Sequence, residues 1–167
     1  MIFKNQAEGQ IMKKALFTAV VLSALLITAS LCAAGSGPDA IVGKWWNQEK
    51  TSQIEIFKHG GKYVGRIVWL KDPLYPANDP EGMGGKSKVD RDNPDPSKKK
   101  QPLLGMVMVW GFSPRGENLW ENGFIYDPRE GKTYKCKMTL KSPDVLDVRG
   151  FIGLSLFGKT NTWTRVK

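Results

Sequence analysis

The chain has 167 residues, with 25 Lys and Arg against 16 Asp and Glu, a formal charge of +9. That length holds one domain with a real core, and 41% hydrophobic content with six Trp and seven Phe excludes a chain disordered throughout. Two Cys and one His leave no donor set for a Cys/His zinc site or a Cys–His catalytic pair, and no cofactor or metal is expected.

Met12-Lys13-Lys14 precedes an apolar run from Ala15 to Leu31, followed by the small residues Cys32-Ala33-Ala34-Gly35. A positive start, an apolar stretch and a small-residue site predict a secretory signal peptide over 1–34, with Met12 an alternative start and cleavage after Ala33 or Ala34. Leu31 before Cys32 argues against lipidation at that thiol, which needs a small residue there. The expected product is periplasmic or secreted, with one domain over 35–167. Setting aside Lys4, Lys13, Lys14 and Glu8 leaves a charge of +7 and one thiol, Cys136. A lone Cys in an oxidising compartment forms no internal disulfide, and its place in the alternating series Tyr134, Cys136, Met138, Leu140 marks it as a buried small hydrophobe.

Beyond the leader, helical periodicity is nearly absent and short β-rich runs recur between turn signals. They cover Ile41–Trp46, Gln53–Lys58, Tyr63–Leu70, Met106–Trp110, Asn118–Tyr126, Thr133–Leu140, Val145–Phe151 and Thr160–Val166. His59-Gly60-Gly61-Lys62 and Asp127-Pro128-Arg129-Glu130-Gly131 supply tight turns. Eight strands joined mostly by short turns predict an all-β fold, a small antiparallel barrel that closes its own edges.

The exception is 71–101, with five Pro and seven basic against six acidic residues. A connection this long is a lid, a binding loop, a wrapping loop or a disordered segment. Met106–Trp110 is apolar on both faces, so either this segment or another subunit must cover its second side.

Several motifs fail on spacing or context. Gly84-Gly85-Lys86-Ser87 has the tail of a phosphate loop, but Pro80 stands where its first Gly belongs and no helix follows. Asp90, Asp92 and Asp95 begin like a calcium loop, yet Asp95 replaces the required Gly and Gln101 the closing Glu. His59 sits in a turn without catalytic company. Lys98-Lys99-Lys100 is a short basic run and export speaks against nucleic acid, so anionic envelope surfaces are the natural partner of the positive charge. A hydrolase would need carboxylates such as Asp127, Glu130 or Asp147 to converge in a cleft; no catalytic residue is assigned.

Gly43-Lys44-Trp45 has the G-x-W form found near the start of lipocalins, and Trp163-Thr164-Arg165 offers an Arg from the last strand. A guanidinium over an indole gains packing and cation–π attraction, so Gly43, Trp45, Trp163 and Arg165 are assigned to barrel closure. The wider series is more specific: Tyr63-Val64-Gly65-Arg66-Ile67, Asp92-Asn93-Pro94-Asp95-Pro96, Pro102-Leu103-Leu104-Gly105, Trp120 to Pro128, Gly131-Lys132-Thr133-Tyr134, Val148-Arg149-Gly150 and Phe157-Gly158-Lys159-Thr160. In this order the motifs resemble the bacterial secreted family known as domain of unknown function 2147, across the whole chain after the leader. The resemblance implies a lipocalin-like barrel exported to the envelope, with no established reaction. Lys98-Lys99-Lys100-Gln101 departs from the Arg-rich character expected there, which weakens bidentate anion binding at that point.

A small β-barrel can hold one ligand, so the leading expectation is a protein that binds a small hydrophobic or amphipathic molecule, with an anionic one among the options. Tyr63, Trp69, Tyr126 and Tyr134 are the candidate wall and Arg149 the charged anchor, against the alternative that they serve ordinary packing. The other class is an interaction module working through its outer surface, including as a homodimer. A filled interior would favour the second class and a cavity of a few hundred cubic ångströms the first.

Overall fold

The computed structural model describes residues 37–167, so the predicted leader lies outside the described residues. Eight strands follow in chain order: β1 Gly43–Trp46, β2 Ser52–His59, β3 Lys62–Leu70, β4 Val107–Pro114, β5 Leu119–Asp127, β6 Lys132–Ser142, β7 Val145–Phe151 and β8 Gly158–Arg165. Each pairs antiparallel with the next, and β8 returns to β1, closing a barrel. Alternation decides what faces in. Ile54 and Ile56 on β2, Cys136, Met138 and Leu140 on β6, and Leu146 and Val148 on β7 are buried, with polar neighbours between them.

The core fills one end of the barrel. Trp45, Tyr63, Phe112, Trp120 and Trp163 are its largest buried side chains. Ile41, expected in the first strand, instead belongs to a short coil before β1 and is fully buried beneath that end. The Trp120 indole N–H donates to the Pro38 carbonyl at 3.0 Å and the Trp45 indole N–H to the Ile41 carbonyl at 2.8 Å, so residues 38–41 lie across the closed end.

The closing seam is short: β1 and β8 share only the pairs Trp45–Arg165 and Trp46–Thr164. Side chains extend it. Gln48 accepts the Thr162 backbone N–H at 3.0 Å, and Lys50 bonds the Thr164 hydroxyl. Arg165 donates to the carbonyls of Ala40 (2.7 Å), Val42 (3.0 Å) and Pro143 (2.7 Å), with its guanidinium carbon 4.2 Å from the Trp45 ring centre. Gly43 has φ +128°, and a β carbon there would sit 3.0 Å from Arg165 Nη1. The G-x-W glycine therefore leaves room for the guanidinium as well as taking a backbone shape that L residues avoid.

Residues 71–106 are ordered against the barrel. Bridges Leu74–Ser87 and Val89–Pro102 fold the segment on itself, and a short 3-10 turn, Pro96–Lys98, is capped by Asp95 through the Ser97 N–H. Asp79 is buried and accepts from Arg91 and from the N–H groups of Glu81 and Met83. The segment ends in a second cluster of Ile67, Met106 and Tyr126, against which Leu103 and Trp110 pack. The two-faced apolar run thus meets its cover within the chain: Val109 faces the main core, while Trp110 joins the cluster that Leu103 helps to cover.

Candidate ligand-binding site

The end of the barrel opposite the core is hollow. A cavity of about 650 Å³ opens between the β1–β2, β3–β4, β5–β6 and β7–β8 connections. Its apolar floor and walls come from inward positions, among them Ile54, Ile67, Met108, Ile125, Val148 and Trp163. Gly150 lines it too, and its missing side chain keeps space open beside Ile125 and Tyr134. Asn161 stands between Lys159 and Trp163 on β8 and also faces the cavity; among the described residues its amide has no hydrogen-bond partner, so its donors and acceptor are free for a ligand.

The rim is charged. Arg129 is committed to Asp127, with Nη2 to Oδ2 at 2.8 Å and Nε to Oδ1 at 3.1 Å. Burial alone would raise the Asp127 carboxyl, but the bonds from the Arg129 side chain and backbone outweigh it and hold the group below its ordinary value. Glu130 accepts the Tyr134 hydroxyl, and that bond, aided by burial, pushes the phenol up. Lys88 and Lys159 also line the mouth, and among the described residues neither is paired with a carboxylate. They are the available cations there.

Two of the five predicted ligand-contact residues, four for the wall and Arg149 as anchor, reach this site. Tyr134 lines it near the mouth. Tyr126 borders it and donates its hydroxyl to buried Asp90 at 2.8 Å, tying the 71–101 segment to β5; burial first, then Asp90, raises that phenol above its ordinary range.

The other three lie elsewhere. Tyr63 faces inward but at the closed end, where it meets Trp120 edge-on at 6.4 Å and donates to Asp39; it is core, not cavity wall. Trp69 is on the outer surface. Its strand opposes Ile54 with Ile67 and Gln53 with Trp69, so Val68 is an extra residue, and this bulge flips Trp69 onto the face of Trp46, whose ring lies 5.1 Å away. Arg149 alternates with inward Val148 and Gly150 and so points out. It donates to the Ser155 and Leu156 carbonyls (2.8 and 3.0 Å) and to the Thr160 hydroxyl (2.8 Å), clamping the β7–β8 connection rather than anchoring a ligand. Of the closure residues, Gly43, Trp45 and Arg165 meet at the seam, whereas Trp163 also forms part of the cavity floor.

The rejected motifs find structural uses. Asp90 serves Tyr126 and Asn93, Asp95 caps a turn, and His59 is exposed at the closed end. Asp147 points outward and accepts from Thr162 at 2.8 Å, sharing no cleft with Asp127. The sequence reading missed Asn161, Lys88 and Lys159. Asn161 was within reach, because it shares the alternation of Trp163 on one strand; the two lysines are gathered by loops and carry no periodic signal.

Closed at one end by a Trp–Arg pair and hollow at the other, the molecule is an eight-stranded lipocalin-like barrel. The chain belongs to the family described as an uncharacterized protein conserved in bacteria (DUF2147), whose model matches residues 43–165. Among solved structures it is similar to protein HP1028 from the human pathogen Helicobacter pylori, described as belonging to the lipocalin family. The two are 26% identical with a TM-score of 0.64, over 76% of this chain and 83% of that one. No curated protein matches the chain.

Proposed function

We propose that this protein is an exported carrier that holds one small amphipathic molecule, its apolar body in the barrel and its polar, anionic end at the mouth. The observation that carries the reading is the cavity of about 650 Å³, apolar within and open at one end. That volume suits a single small ligand, and apolar walls with a few convergent polar groups are what such sites share. Lys88 and Lys159 at the rim and Asn161 inside supply the polar groups. The apolar interior supplies affinity by removing ligand surface from water, and the rim sets which end stays out. Four rim carboxylates, Glu49, Asp72, Asp127 and Glu130, offset the lysines, so a single anionic head fits better than a polyanion.

The test is titration of the barrel with N-phenyl-1-naphthylamine and competition by fatty acids, with wild type beside Asn161→Trp, which fills the space next to Trp163. Wild type is expected to bind with a fatty acid displacing the probe, and Asn161→Trp to lose binding about tenfold or more while melting cooperatively. Wild-type protein that takes up neither probe nor fatty acid would overturn the carrier reading.

A further inference from the structure

The β7–β8 connection breaks the rule that apolar side chains are covered. Ile152, Leu154, Leu156 and Phe157 are 72, 70, 77 and 69% exposed, four large hydrophobes within six residues. Isolated exposed apolar residues are ordinary, but a contiguous group marks a surface that meets something. The tip is also held in shape. Phe157 N–H bonds the Leu154 carbonyl at 3.0 Å, and the Arg149 guanidinium holds the Ser155 and Leu156 carbonyls from below. Arg149 thus fixes the backbone whose side chains stay in water.

Charge identifies the occupant. Lys135 and Lys137 line a groove together with Leu154 and Ser155, in which the carboxylate of Glu121 is paired with Arg115 at 3.4 Å, and Lys159 is the second residue of β8, just after the tip. Among the described residues none of these three lysines is paired with a carboxylate. An apolar tip flanked by ammonium groups that form no salt bridge complements a bilayer whose phosphates lie outside its hydrocarbon. The four tip side chains alone make too small a surface for a standard protein interface. Ile152 and Phe157 belong both to the tip and to the cavity mouth, so what meets the tip also faces the opening.

We infer that the β7–β8 tip is a lipid-docking element. Ile152, Leu154, Leu156 and Phe157 enter the interfacial layer of an anionic bilayer, Lys135, Lys137 and Lys159 meet its phosphates, and the cavity mouth is set against the membrane. This goes beyond the carrier reading and does not depend on it.

Among the described residues every strand and both apolar clusters lie within 41–165, and the protein serves for the test as residues 37–167. The experiment is vesicle flotation with phosphatidylglycerol–phosphatidylcholine vesicles and with phosphatidylcholine alone, with sedimentation velocity in parallel. Wild type is expected to float with the anionic vesicles and to be released by salt. Leu154→Asn/Leu156→Asn is expected to weaken flotation about tenfold or more with an unchanged melting temperature. Lys135→Gln/Lys137→Gln is expected to weaken it and flatten its salt dependence. Neither variant touches the cavity, so both still bind N-phenyl-1-naphthylamine if the carrier reading holds; loss of probe binding in wild type alone would sink that reading and leave docking intact. Docking is overturned if wild type ignores anionic vesicles or if Leu154→Asn/Leu156→Asn floats equally well. It is likewise overturned if the tip instead joins two copies, seen as a dimer that this variant dissociates while vesicles remain unbound.

Discussion

Gly131 passes the Asp92 carbonyl so closely that a β carbon on it would lie 2.0 Å from that oxygen, and its φ of +63° belongs to the left-handed region. The β5–β6 turn and the Asp92-Asn93-Pro94 segment are therefore fitted to each other through a missing side chain. Gly131→Ala should cost about 2–4 kcal/mol, combining backbone strain with displacement of the segment. Urea unfolding would read the loss, and limited proteolysis should show earlier cleavage within 71–101. Unchanged stability would mean that the two loops are not coupled.

Arg165 serves three carbonyls and one indole at the point where the barrel closes. Its removal leaves those oxygens and the Trp45 face without their partner, so Arg165→Ala should lower stability by about 3 kcal/mol. Arg165→Lys should recover only part, since an ammonium cannot span three acceptors as a planar fork does. Probe binding by the folded fraction should persist, because the seam lies away from the cavity.

Burial pushes the Cys136 thiol up to about 12. In the barrel of residues 37–167 it should ignore Ellman's reagent at pH 8 and react once unfolded. The raised value also carries a pH dependence. The folded state keeps the proton above 9.0, the ordinary value, while the unfolded chain releases it, so stability falls as pH rises past 9. Cys136→Ala should be less stable at pH 7 by about 1 kcal/mol yet lose less between pH 9 and 11, as measured by chemical denaturation.

Asp79 is held below its ordinary value of 3.8: burial raises it, but Arg91 and the N–H groups of Met83 and Glu81 more than offset that. A carboxyl depressed in the fold stabilises above its unfolded value, and that contribution disappears as pH falls through the folded value. Asp79→Asn should therefore lower the melting temperature at pH 7, and the gap from wild type should narrow as the pH falls below the ordinary value of 3.8, read by calorimetry. A gap independent of pH would assign Asp79 a steric role.

Strand positions were legible because inward residues repeat every second position over most of the barrel; Cys136, Met138 and Leu140 announce β6 unaided. The same rule misplaced Trp69, since the bulge at Val68 shifts parity without any local mark in the sequence. Arg149 was misread for the opposite reason: alternation with Val148 already placed it outside, but its charge invited an anchoring role. Of the closure set, Gly43, Trp45 and Arg165 make one compact contact at the seam, while Trp163 also faces the cavity. The mouth was not legible, because it is assembled from four connections far apart in sequence, and only folding brings Lys88 beside Lys159.

Seven of the eight strand ladders join neighbours in sequence, and the eighth joins residues 45–46 to residues 164–165. Six of those seven are hairpins with short connections that form locally at little loop-closure cost and the β3–β4 ladder spans residues 71–106, whereas the last ladder must bring together segments more than a hundred residues apart for two pairs of residues. Ring closure is thus the least local and least rewarded step of assembly. Arg165, Gln48 and Lys50 act as a latch on that step, and amides along β1 and the end of β8 are where hydrogen exchange should first report the ring coming apart.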